Sequence, residues 1–183
     1  MTNSSNLTSI NSNNNSYGIY LDSSSNNSLS NNSAYNNSYG VYVYSSSYNN
    51  LTNNTAWTGG GLASCNGLIE ANTIAHNRAT LGGGLADCSA SILRNVIAEN
   101  VGHGGGGGLM DCSGVIQDNL IRGNWTEQDE SSGGGLKGCR GWIAYNIILG
   151  NRSRCDGGGG LAGCGSSIVG NLVVANTTDG AGG

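Results

Sequence analysis

Five phrases of one form occur between Gly59 and Gly183: three glycines, a leucine, two residues and a cysteine, followed by Ile-x-x-Asn. They begin at Gly59, Gly82, Gly106, Gly133 and Gly158 and carry Cys65, Cys88, Cys112, Cys139 and Cys164. Self-similarity at a period of roughly 20 to 50 residues marks a solenoid, because one repeat cannot bury its apolar face except against its neighbours. Architecture constrains this chain before any local propensity does.

Composition alone points elsewhere. Glycine supplies 33 of 183 residues, only 10% are charged, and Ser and Asn crowd the first fifty positions. Such bias reads as low complexity. The recurring apolar positions override it, since stacking would bury the same inward set continuously. A formal net charge of -4 with seven Lys and Arg leaves no basic stripe, which argues against nucleic acid as a partner. No apolar run approaches the ~20 residues of a membrane span. Residues 1–20 show neither a charged nor an apolar leader segment. Beside so surface-like a composition, that suggests an excised fragment or an incomplete gene model of an extracellular or cell-surface protein. Asn-x-Ser/Thr occurs at Asn3, Asn6, Asn14, Asn26, Asn31, Asn36, Asn50, Asn53, Asn124, Asn151 and Asn176, which makes these the glycosylation candidates.

Two repeat styles are joined. Residues 14–35 align with 36–57 at a spacing of 22, and residues 4–13 look like the tail of an earlier copy. From Gly59 the cysteines step by 23, 24, 27 and 25 residues. The variation falls just before the glycines, in Gly102–Gly105, Thr126–Ser132 and Arg152–Gly157, so these read as loops at one corner where insertion costs little. Across the junction Val43 matches Leu62, Leu51 matches Ile69 and Asn54 matches Asn72, with a shortening near Trp57 and Thr58. One domain over 1–183 is expected, with Asn/Ser-rich coils in 1–58 and five glycine-rich coils in 59–183.

Period-two alternation predicts three short strands in each glycine-rich coil. Leu62, Leu85, Leu109, Leu136 and Leu161 mark the first, and Ile69, Ile92, Ile116, Ile143 and Ile168 the second. Ile74, Ile97, Ile121, Ile148 and Val173 anchor the third. Asn72, Asn95, Asn119, Asn146 and Asn171 form one column, and Asn77, Asn100, Asn124, Asn151 and Asn176 another. These are expected at corners, where Asn tolerates left-handed backbone geometry and stacked amides bridge neighbouring coils. The sum is an all-β single-stranded parallel solenoid of about eight coils of 19–27 residues.

On these repeats the chain resembles the right-handed parallel β-helix proteins, the superfamily of the pectate-lyase-like enzymes. Residues 14–57, with Asn-Asn-Ser-Tyr-Gly-Ile-Tyr-Leu and Leu-Thr-Asn-Asn-Thr-Ala, are similar to NosD-type surface and periplasmic repeats. Residues 59–183 are similar to the Gly-Gly-Gly-Leu-x-x-Cys repeats of secreted and cell-surface β-helix proteins. The resemblance implies the fold; on function it spans enzymes, adhesins and envelope fibres alike.

Few residues point to chemistry. The cysteine column reads as a buried thiol ladder, with disulfide pairing left open, while Cys155 lies out of register. Asp87 and Asp111 stack at one corner, where two repelling carboxylates are weak candidates for a Ca²⁺ site and read first as a solvated corner. The resemblance adds that pectate lyases hold Ca²⁺ between acids on such a face; otherwise no cofactor is called for. Gly102-His103-Gly104 echoes the galacturonan hydrolases of this fold, but their Asn-Thr-Asp and paired-Asp motifs are missing. His76 with Glu99, and Arg94 with Asp118, read as exposed pairs worth little. Tyr20 with Tyr42, and Tyr35 with Trp57, stack outward as candidate sugar-ring platforms. The termini carry neither a capping helix nor a charged strand, as in a piece of a longer protein or a unit stacking end to end.

The balance is against an enzyme. The reading is a non-catalytic extracellular or cell-surface β-solenoid, a glycosylated fibre or filament subunit; the alternative is a polysaccharide-binding or polysaccharide-cleaving module. Metal delivery lacks the His or Met clusters that copper handling wants.

Overall fold

The computed structural model of the chain describes residues 5–30, 32–34, 39–44, 46–47, 49–52, 54–128, 132–155, 157–165 and 167–179. Every recorded strand pairing is parallel and joins one coil to the next. The three predicted strands are all present. Leu62–Ala63 opens a five-stranded sheet (sheet 1), Leu68–Glu70 belongs to a six-stranded one (sheet 2), and Thr73–Ala75 to an eight-stranded one (sheet 3). Sheet 3 begins at Asn6–Thr8 and ends at Leu172–Val174, so it passes through both repeat styles without a break in pairing.

A fourth strand follows the second asparagine. Arg78–Leu81, Val101–Gly102, Trp125–Thr126 and Arg152–Ser153 belong to a seven-stranded sheet (sheet 4). The variable segments therefore start as strands and loop out only afterwards. Sequence patterning does not announce this strand because its buried positions are Ala56, Ala79, Gly102, Thr126 and Ser153, none of them a large aliphatic. The glycine triplets lie close against the backbone of this strand, at Arg78, Val101, Trp125 and Arg152. A Cβ on Gly107 would lie 2.5 Å from the Gly134 carbonyl and 2.6 Å from the Trp125 nitrogen, so two backbones meet across a very thin coil. The first glycine of the triplet does different work: Gly59, Gly82, Gly106 and Gly133 all have positive φ and turn the chain.

Aliphatic columns fill the interior. Ile69, Ile92, Ile116 and Ile143 are fully buried, as are Ile74, Ile97, Ile121 and Ile148. The frame across the junction differs from the sequence match. Leu51 pairs with Ile74, and Asn54 bonds to Asn77, while Ser46 pairs with Ile69. The separation from 51 to 74 is the same 23 residues that separates Asn49 from Asn72, so nothing is lost at Trp57 and Thr58. The slip has a simple cause. Four of the five glycine-rich coils contain an Ile-x-x-Asn phrase twice, as in Ile69 to Asn72 and Ile74 to Asn77, and an alignment by eye can settle on either.

Corners also differ from expectation. The asparagines are not the left-handed residues. Their predecessors are: Ala71, Arg94, Asp118 and Tyr145 have φ between 52° and 55°. Asn72, Asn95, Asn119 and Asn146 follow these turns with buried side chains. Their value lies in the amide, not in backbone tolerance.

Candidate functional site

The most elaborate polar structure in the chain is internal. Asn119 Oδ1 accepts from the backbone N–H of Asn95 at 2.8 Å and from Asn95 Nδ2 at 3.0 Å. Its own Nδ2 donates to the Ile92 carbonyl at 2.8 Å and to Asn146 Oδ1 at 2.9 Å. The first ladder runs from Asn27 through Asn49 and Asn72 to Asn171, with one weak rung: Asn49 reaches Asn72 Oδ1 through its backbone N–H alone, and its buried Nδ2 has no partner among the described residues. The second runs from Asn32 through Asn54 and Asn77 to Asn176. Each rung thereby satisfies backbone groups that a turn would strand in the interior, where an unmet bond costs about 1–3 kcal/mol.

Three sequon asparagines, Asn124, Asn151 and Asn176, belong to this ladder. Asn124 and Asn151 are fully buried, and each amide nitrogen donates to a main-chain carbonyl and to the next amide. A glycan cannot be attached there in the folded chain. Asn176 forms the last described rung and is half-buried. Asn6, Asn14, Asn26 and Asn50 are exposed, while Asn3, Asn31, Asn36 and Asn53 lie outside the described residues.

The cysteines form a second internal column. Cys65, Cys88, Cys112 and Cys139 are fully buried, Cys164 is half-buried, and all are free thiols. Each Sγ donates to the carbonyl two residues earlier, from 3.3 Å at Cys88 to 3.6 Å at Cys139. At Cys139 the hydrogen bond with Cys112 and then burial push the thiol well above its usual range. For Cys88 the bond with Cys112 acts downward, but the bond with Cys65 and burial outweigh it, and the thiol again ends up high. Such thiols stay protonated at neutral pH, and neither a nucleophile nor a soft-metal ligand is prepared here.

Asp87 and Asp111 are exposed and occupy a left-handed corner, with φ of 55° and 50°, in line with Ser64, Gly138 and Gly163. The Asp111 carboxylate leans over Gly138, whose missing Cβ would meet Oδ1 at 2.2 Å. Partial burial and then the Asp111 charge raise Asp87 above the usual carboxylate range. The described residues contain no group of three or more His, Cys, Asp or Glu side chains able to hold a metal.

Surface charges link coils. His76 Nδ1 lies 3.4 Å from Glu99, which also accepts from Arg122 at 3.0 Å. Arg94 shares its corner with Asp118, yet the ion pair recorded for it reaches back to Glu70 of the preceding coil. His103 is part of a cluster that sequence reading missed. Its Nδ1 is 3.0 Å from Glu127, which Arg78 grips through two nitrogens from a coil further back, at 2.7 and 2.5 Å. The Arg–Glu partners lie 49 residues apart, so no local motif could expose them. The clamp pins the start of the longest inserted segment to the solenoid wall.

One of the two aromatic pairs is seen stacked. Tyr20 and Tyr42 stack with centroids 5.3 Å apart and ring planes 9° from parallel. Tyr17 closes edge-on against both, at 5.4 and 5.0 Å. Trp57 is exposed on sheet 4, and Tyr35 lies outside the described residues.

A family model described as "Right handed beta helix region" matches residues 1–136. Searches of curated proteins and of solved structures returned no significant match. The unbroken parallel stacking and this match agree, and the chain belongs to the right-handed β-helix family.

Proposed function

We propose that the protein is a non-catalytic structural β-solenoid of the cell surface or extracellular space, a rigid rod or fibre element. The observation that carries the reading is where its chemistry goes. The column asparagine amides are spent on coil-to-coil bonding from Asn27 to Asn176, and Cys65, Cys88, Cys112 and Cys139 are buried. Exposed Asn6, Asn14, Asn26 and Asn50 are the positions a glycan could use. End-to-end growth is part of the reading, because each coil is joined to the next by the same parallel pairing and amide bonds.

Electron microscopy of the purified chain after negative staining tests this. Slender rods that lengthen with concentration support a fibre role. The second reading, a polysaccharide-binding module, is favoured by the stacked Tyr20 and Tyr42 with Tyr17 across them. Short discrete rods whose melting point rises with added polygalacturonate, and falls back in Tyr20→Ala, would replace the first reading with the second.

A further inference from the structure

Successive coils are not joined equally firmly. In the glycine-rich half every step repeats the pairings of all four sheets, and amide bonds of 2.9–3.1 Å bridge it in both ladders. The step from the coil of Tyr39–Tyr44 to that of Leu62–Ala63 is weaker in three ways. Tyr17–Asp22 and Tyr39–Tyr44 form a two-stranded sheet of their own and sheet 1 starts afresh at Leu62–Ala63, so no strand pairing joins these walls among the described residues. They touch without pairing, since a Cβ on Gly40 would lie 3.1 Å from the Gly59 carbonyl. In the first ladder Asn49 is 1% exposed, yet only its backbone N–H reaches Asn72, at 2.7 Å, and its Nδ2 has no partner among the described residues. In the second ladder the Asn54–Asn77 amide bond is 3.3 Å long, against 2.9–3.0 Å at the other rungs. Sheets 2, 3 and 4 still cross this step, and the aliphatic interior is continuous through it.

We propose that this step is a seam at which the rod divides into two cooperative units, the coils before it opening together while the glycine-rich coils stay wound. The stability of a solenoid is close to a sum of coil terms and nearest-neighbour contacts, so one weak contact is enough to divide the array. A buried donor without a partner and a missing row of main-chain bonds both withhold stabilisation from this contact and from no other. The three defects lie on different walls and ladders, yet they fall at one step, where the repeat style changes near Trp57 and Gly59. The consequence is a rod whose Asn/Ser-rich half can unravel under heat or tension without loss of the other half. This division is a property of the frame and is the same whether the rod is a fibre element or binds sugar.

One main-chain amide in each coil reports on the seam. Ser28, Asn50, Thr73, Val96 and Leu120 donate to the carbonyls of Ser5, Asn27, Asn49, Asn72 and Asn95 in the preceding coil, at 2.8–3.0 Å. Thr73 is the one that spans the seam. Hydrogen exchange at these five amides is followed by nuclear magnetic resonance on the folded chain, in denaturant below the unfolding midpoint. Ser28, Asn50 and Thr73 are expected to exchange through one common opening, and Val96 and Leu120 through a rarer one. Leu29→Ala, in the buried column of the earlier unit, should speed the first three by one factor, about a hundredfold, and leave the last two unchanged. Acceleration of all five alike would mean a single unit and would overturn the seam. Acceleration at Ser28 that does not extend to Asn50 and Thr73 would mean fraying coil by coil, and overturns it equally. If Leu29→Ala leaves the earlier coils unfolded, Leu29→Val, with an effect of about fivefold, is read by the same division of three against two.

Discussion

The Asn/Ser-rich coils before Trp57 and the glycine-rich coils after it share less sequence than structure. Both place an aliphatic at the centre of sheet 3, Leu29 and Leu51 in one and Ile74 and Ile97 in the other. Both run the same two asparagine ladders. They differ in what surrounds that frame. The later coils add glycine triplets, which let the chain cross close against sheet 4, and a column of buried thiols. The earlier coils have neither, and carry tyrosines on their outer strands instead. The comparison separates what makes a coil from what decorates it: one aliphatic column and two amide ladders are common, and the remainder is local.

The largest effect should come from the shared frame. Ile116→Asp puts a carboxylate into a fully buried aliphatic column, and the middle coils should collapse, with loss of the β signal in far-ultraviolet circular dichroism. An unchanged spectrum and melting point would mean the column is not the core.

Next come the ladders, where the two regions should behave alike. Asn124→Ala and Asn54→Ala each remove an amide that accepts from the previous rung and donates to the next. Each should cost about 3–5 kcal/mol in chemical denaturation, since several buried partners lose their bonds at once. A cost confined to Asn124 would break the claim that the regions share one frame.

Glycine should matter only in the later coils. Gly107→Ala drives a methyl into backbone on both sides, and about 3 kcal/mol is expected, the upper end for overpacking. Tolerance at that position would show that the triplets are compositional. The thiols should matter less: Cys112→Ala removes one buried sulfur, and about 1 kcal/mol is expected in the same assay.

The smallest effect is at the acid corner. The folded chain holds a proton on Asp87 more tightly than the unfolded chain does, because its folded value is raised. Ionising it therefore disfavours folding, and that penalty appears as pH rises through the ordinary aspartate range and beyond. Asp87→Asn should raise the melting temperature slightly at neutral pH and leave it unchanged well below that range. The opposite sign at neutral pH would point to a bound cation.

How much of this could be read from the residues depends on whether the signal was local. The aliphatic columns were legible because Leu62, Ile69 and Ile74 recur with period-two alternation. The ladders were legible because Asn recurs at fixed positions. Sheet 4 was not, since Ala79, Gly102 and Ser153 carry no hydrophobic alternation. The register across Trp57 was ambiguous because two identical phrases per coil compete for it. The Arg78–Glu127–His103 clamp could not be read at all, because it joins residues of three coils.

The central claim is that successive coils lie in register, so that equivalent asparagines bond directly. Nuclear magnetic resonance of the side-chain amides tests it most directly. Magnetisation should pass between the Nδ2 protons of Asn95, Asn119 and Asn146, with exchange against water slowed at each. Amide protons that exchange freely and show no contact with their counterparts 24 and 27 residues along the chain would contradict it.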